Sequence, residues 1–244
     1  MPHGLPDWWG AAPKSTTYGL QDMAELAARL GSIVTFDRRG DVIWQSRFED
    51  GIAQVGVSGT GTYNEVYPQI NSGHYAGNCL VLKTGNAAGD LAEITKVLPY
   101  PALGGIGHEI GFSLTSGIRY VYNSLIFFTG SQKQWYCVRY VHTSGALQLL
   151  HSNGTWYNIG SPGIQREGEA IYNQMKLVGD ILNSKYVRVV FNSGNYLASA
   201  YAPYVTADTT TKSMTVGIDV YTDIAANVAA RAAYMIVTQN EPVT

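Results

Sequence analysis

The first twenty residues show no regular alternation of apolar and polar positions. Pro2, Pro6 and Pro13 interleave with Gly4, Gly10 and Gly19, a spacing that interrupts helix and strand alike and predicts an extended arm. Helical periodicity follows: Met23, Leu26, Ala27 and Leu30 recur three and four positions apart, Asp22 lies near the amino end and Gly31 supplies a stop. One short amphipathic helix is therefore predicted over residues 21–30. The runs IVTFD and VIWQS flank Arg38, Arg39 and Gly40 and predict a β-hairpin. RFEDG marks the end of this region, which divides the chain into an amino-terminal unit, residues 1–46, and a domain of residues 47–244.

Beyond that boundary the period becomes two. HEIGFSLTS sets Ile110, Phe112 and Leu114 on one face and Glu109, Gly111, Ser113 and Thr115 on the other, and MTVGIDVYT does the same with Met214, Val216, Ile218 and Val220. Both read as half-buried strands. Further strand-like runs cover residues 80–83, 92–98, 124–129, 135–142, 147–151, 175–180, 186–191 and 233–238, separated by turn signals such as SNGT, LNSK and NSGN. The segment IAANVAARAA has helical propensity but falls between two strands, where a loop fits equally. Roughly a dozen strands so punctuated predict an all-β, antiparallel two-sheet sandwich.

The succession FEDG, SGHYAGNCLVLKTGNAAGDLAEITKVL, MKLVGDILNSKYVRVVFNSGNYLAS and AAYMIVTQNEP, spanning residues 47–240, resembles the jelly-roll sandwich of concanavalin A-like and carbohydrate-binding modules. That family includes enzymes, glycan binders and virion structural proteins, so the resemblance implies a fold and leaves function open. It also implies a structural calcium held by acids of the first and last strands. Glu49 and Asp50 match the first half, but AAYMIVTQ carries no acid for the second, so no metal is assigned. Retaining glycosidases of this fold cluster their acids as E-x-D-x-E, which is missing here. Glu167 and Glu169 in REGEA come nearest, and Gly168 between them favours a solvated loop.

Composition narrows the choice. Charged residues make up 14% of the 244, against roughly 25% in typical soluble domains, so uncharged polar side chains and tyrosine must cover the surface. Net charge is −2 with scattered Lys and Arg, which gives no electrostatic footprint for nucleic acid. No run is long and apolar enough for a membrane span, and MPHGLPDWWG lacks the features of a secretory signal. Cys79 and Cys137 sit in apolar runs and read as buried free thiols, with a single bridge as the alternative. The histidines are dispersed: His3, His74 and His108 stand alone, and His142 and His151, flanking a hairpin, lack a third ligand for metal. No nucleophile elbow, P-loop or dinucleotide fingerprint occurs, so no cofactor is expected. Arg39-Gly40-Asp41 reads as a turn, and the sequon at Asn153 as a β-turn without secretory consequence.

Aromatics carry the remaining signal. Many of the 17 tyrosines cluster, as in RYVYN, WYCVRY and TWYNIG, and Trp135, Trp156 and Tyr157 are the candidates for a glycan contact, with core packing as the plainer reading of the two tryptophans. An extended arm cannot bury Trp8 and Trp9 by itself. Trp8, Trp9 and Tyr18, with the Met23, Leu26 and Leu30 stripe, are accordingly the candidate subunit or particle interface. Arm, helix and weakly charged sandwich are similar to phage capsid decoration and tail-associated proteins. The leading expectation is a non-enzymatic virion structural protein, a homo-oligomer with a trimer preferred. It would assemble in the host cytoplasm on capsid or other particle proteins and display its sandwich at the particle surface. A glycan-binding module is the second expectation and a glycoside-active enzyme the third.

Overall fold

The computed structural model describes residues 39–62, 64–73, 77–101 and 104–243. The arm, the predicted helix, the IVTFD half of the hairpin, His3, His74 and the interface candidates Trp8, Trp9, Tyr18, Met23, Leu26 and Leu30 lie outside the described residues. The strands in chain order are β1 (Asp41–Ser46), β2 (Gly56–Gly59), β3 (Glu65–Gln69), β4 (Cys79–Lys83), β5 (Leu91–Pro99), β6 (Gly105–Leu114), β7 (Ile118–Phe128) and β8 (Gln132–Val141). They continue as β9 (Ala146–Leu150), β10 (Trp156–Gly160), β11 (Gly168–Asp180), β12 (Lys185–Phe191), β13 (Gly194–Leu197), β14 (Tyr204–Ala207), β15 (Ser213–Thr222) and β16 (Ala229–Gln239).

These strands make two antiparallel sheets packed face to face, with no helix among the described residues. Sheet A runs β13-β12-β11-β6-β16-β4-β3, with β1 also on β16; sheet B runs β10-β9-β8-β7-β15-β5-β2, with β14 also on β8. The VIWQS run thus pairs, as β1, with the last strand of the same sheet. Period-two alternation builds the interior: β15 sends Met214, Val216, Ile218 and Val220 inward, and β6 sends Ile106, Ile110, Phe112 and Leu114 to meet them.

One segment departs from the sequence expectation, and a second decides an alternative that the sequence left open. β6 is buried on both faces, because its outward glycines leave room that neighbouring side chains fill: a Cβ on Gly111 would lie 2.3 Å from the Tyr234 ring. The alanine-rich IAANVAARAA run is a loop that leads into β16 at Ala229. There Ala230 and Ala232 face the core, so tertiary packing overrides helical propensity.

A polar link crosses the apolar interior. Asn123 on β7 donates to the carbonyls of His108 on β6 and Met175 on β11, both at 2.9 Å, and the His108 Nδ1 donates to the Ser124 carbonyl at 3.2 Å. Burial lowers the His108 imidazole from 6.5 to about 4. Between those values the unfolded chain takes up a proton that the folded one refuses, so stability is lost as pH falls from 6.5 towards 4.

Beyond β16 the chain turns at Asn240, whose φ is +55°, and lays Glu241 against β6 through a 3.0 Å bond from its N–H to the Gly105 carbonyl. The Glu241 carboxylate then meets Lys176 at 2.6 Å and Arg188 at 2.5 Å, all three side chains 2% exposed or less. Gly40, at φ +82°, is in close contact with the same carboxylate, which explains the glycine in Arg39-Gly40-Asp41.

Two stability measurements check this account. Glu241→Gln removes a buried charge shared by two cations and should lower the unfolding free energy by about 3 kcal/mol, seen as a lower urea midpoint at unchanged m. The wild type should gain about 3 kcal/mol from His108 between pH 4 and 6.5, and His108→Gln should flatten that slope in parallel urea titrations.

Candidate functional site

The alternation that fills the core from sheet B also determines what the sheet shows to solvent. On β7, Val121 and Leu125 point inward while Tyr120, Tyr122 and Ser124 point outward; on β15, Asp219 and Tyr221 take the outward positions. Strand register then aligns Ser58, Glu93, Asp219, Tyr122, Arg139, Gln148 and Asn158 into one polar row running from β2 to β10. Six strand spacings make that row roughly 29 Å long.

An aromatic cluster stands on the middle of the row. The Tyr122 ring lies 4.7 Å from Tyr221 and 5.4 Å from Trp156, and Tyr120 packs edge-on at 5.8 Å. The Arg139 guanidinium lies 4.1 Å from the Trp156 ring centre and 4.5 Å from that of Tyr120. It is fixed there by a 2.8 Å bond from Nε to the Gln148 Oε1 and a 3.3 Å bond from a terminal nitrogen to the Tyr122 hydroxyl. All five groups are half-buried, so part of each remains open to solvent, and Arg139 lies over the rings of Tyr120 and Trp156.

One end of the row is acidic. Glu93 and Asp219 oppose each other on adjacent strands and share a side-chain hydrogen bond, and the Ser58 hydroxyl donates to Glu93. Asp219 keeps some exposure as a residue, but its Oδ1 is buried without a hydrogen-bond partner. Desolvation first, and the Glu93 charge second, push the Asp219 carboxyl up from 3.8 to about 8. The Asp219 carboxyl is therefore protonated at neutral pH. Burial also raises the Tyr122 and Tyr221 hydroxyls above their ordinary 10.

Of the residues singled out from sequence, Trp156 belongs to this cluster. Trp135 faces the same side of sheet B, where it pairs with Tyr204 and carries the Lys133 ammonium 4.9 Å above its ring. Tyr157 takes the opposite side of edge strand β10, against His151 at 4.6 Å and Tyr201 at 6.0 Å. Tyr120, Tyr122, Tyr221, Arg139, Glu93 and Asp219 were not singled out. The available signal was parity: once Ile218 and Val220 are inward, Asp219 and Tyr221 must face out.

The other candidates have local partners. Glu167 meets His142 at 3.0 Å and Glu169 meets Arg231 at 2.6 Å, so the two carboxylates serve separate pairs. His142 and His151 do not share a site, each being engaged as above. Cys79 and Cys137 are free, buried and in different sheets. Glu49 accepts from Asn78 and Asp50 from Gln54. The Asn153 Oδ1 accepts from the backbone and hydroxyl of Thr155 in an exposed turn. On sheet A, by contrast, the charges of Lys176, Arg188 and Glu241 are buried against one another.

No protein-family model matches the sequence, and no curated protein matches it by sequence. Solved structures match by fold. The conserved carbohydrate esterase of Shiga toxin-encoding bacteriophage phi24B superposes with a TM-score of 0.52 at 12% identity, over 76% of this chain and 91% of that one. A sialidase gives 0.50 at 9% identity over 85% of this chain, which spans 19% of the sialidase. The potassium-bound carbohydrate recognition domain of Emp46p gives 0.49 at 8% identity, over 79% and 92% of the two chains. At these identities the likeness is one of architecture, and the architecture of this chain is an antiparallel two-sheet jelly-roll sandwich.

Proposed function

We propose that this chain is a non-catalytic glycan-binding sandwich whose contact surface is the outer face of sheet B. The observation that carries the reading is the group of Tyr120, Tyr122, Tyr221, Trp156 and Arg139, held rigid by one another on the solvent side of a complete core. Flat aromatic faces accept the C–H faces of sugar rings, and the polar row beneath offers hydrogen bonds to their hydroxyls. Fold likeness to a carbohydrate esterase and a sialidase supports the ligand class. The acids argue for binding without hydrolysis: Glu93 and Asp219 are in direct hydrogen bond, closer than the ~5–9 Å that separates the carboxyl groups flanking a scissile glycosidic bond.

A second reading concerns the setting of this module. A phage-encoded fold relative and the low charge of the chain favour a virion structural subunit, anchored through residues 1–46. Light scattering on the full chain and on a form lacking residues 1–38 tests it, the expected result being a defined oligomer that dissociates on truncation. A monomer in both forms argues against it.

The binding reading is tested by affinity electrophoresis and calorimetry with laminarin, xylan and galactomannan. At least one should bind, and Trp156→Ala or Tyr122→Ala should weaken it about tenfold, equivalent to ~1.4 kcal/mol, with circular dichroism unchanged. Lack of binding to all three, or affinity indifferent to both substitutions, overturns it.

A further inference from the structure

The acidic end of the row is unusual for a sheet surface. Cross-strand neighbours of like charge normally repel, and sequences avoid them. Here Glu93 and Asp219 stand directly opposite each other and are hydrogen-bonded, which requires a proton between them. Among the described residues, the groups beside the pair are already engaged. The Asp219 Oδ1 has no donor, the Ser58 hydroxyl is used by Glu93, and Arg139, on the far side of Tyr122, is engaged by Gln148 and the Tyr122 hydroxyl.

We infer that the proton shared by Glu93 and Asp219 gates ligand capture on this face, which is competent while the proton is present and impaired once it leaves. The inference rests on the glycan-binding reading and adds regulation to it. The coupling is geometric. Asp219 lies beside Tyr122 in register and two residues before Tyr221 on the same outward side, so the two rings that form the centre of the platform flank it. Loss of the proton sets two carboxylates against each other in a partly buried position, and repulsion drives them apart against those rings.

The groups facing Asp219 are Glu93 from β5, Tyr221 from β15, Tyr122 from β7 and Cys137 from β8. Of these, Tyr122, Tyr221 and Cys137 are all raised by burial and stay protonated through the relevant range. The Asp219 carboxyl, held up at about 8, is thus the group that titrates, and affinity falls as pH rises through that value.

The test measures laminarin, xylan and galactomannan affinity at pH 6.5 and 9.5 for the wild type, Asp219→Asn and Glu93→Gln, beside a carbon-13 NMR titration of the Asp and Glu carboxyl resonances. The wild type should lose about tenfold in affinity between the two pH values, and each variant, with a permanently neutral partner in the pair, should show a ratio close to one. Reciprocity requires that saturating polysaccharide raise the carboxyl midpoint by about one pH unit. Wild-type binding that ignores pH, or variants that keep the full pH dependence, overturn the gate while leaving the glycan reading intact. An Asp219 resonance titrating in the ordinary carboxylate range also overturns it. Absence of binding at both pH values overturns the glycan reading and the gate together.

Discussion

The side-chain amide of Asn123 reaches from one sheet to two carbonyls of the other, and the imidazole of His108 returns the contact. Apolar packing alone holds two sheets together but tolerates small slips, because one methyl group is much like the next. Directional bonds in a low-dielectric interior do not tolerate them, since a slip would strand buried donors and acceptors. Asn123 and the Ser124 carbonyl that receives the His108 contact lie on β7, next to the strand positions that carry Tyr120 and Tyr122. Interior polarity therefore fixes the strand on which the exterior platform is built.

Sheet A and sheet B use their outer faces differently. In sheet A three of the charges are turned into structure: Glu241 ties β11 to β12 through Lys176 and Arg188 and fastens the segment after β16 across β6. In sheet B the outward groups remain partly open and lie in a line, aromatic in the middle and acidic at one end. The contrast has a steric origin. Glycines 105, 107 and 111 make room on β6 for other side chains to cover it, whereas the matching outward positions on β7 hold tyrosines that fill their own space.

The long strands were legible because each carries an apolar residue at every second position, and β6 and β15 appear where that alternation placed them. Short edge strands were not. GVSG, EVYPQ, GNYL and YVTA have four or five residues and little apolar content, so only the neighbour that they pair with defines them. The glycan surface was half legible. Trp156 stood out as a large aromatic, but Tyr122, Tyr221 and Arg139 come from three other strands, and only register brings them together. The Glu93–Asp219 pair was invisible for the same reason, since 126 positions separate residues that become direct neighbours.

β16 is synthesised after every other described strand, yet it lies inside sheet A with β6 on one side and β1 and β4 on the other. A nascent chain that has passed β6 must therefore keep two unpaired backbone edges apart until residue 239 emerges from the ribosome. Those edges are apolar and ready to pair with any extended strand. A translation product that stops short of β16 would lack the middle of one layer, and its natural fate is to pair with another copy and aggregate.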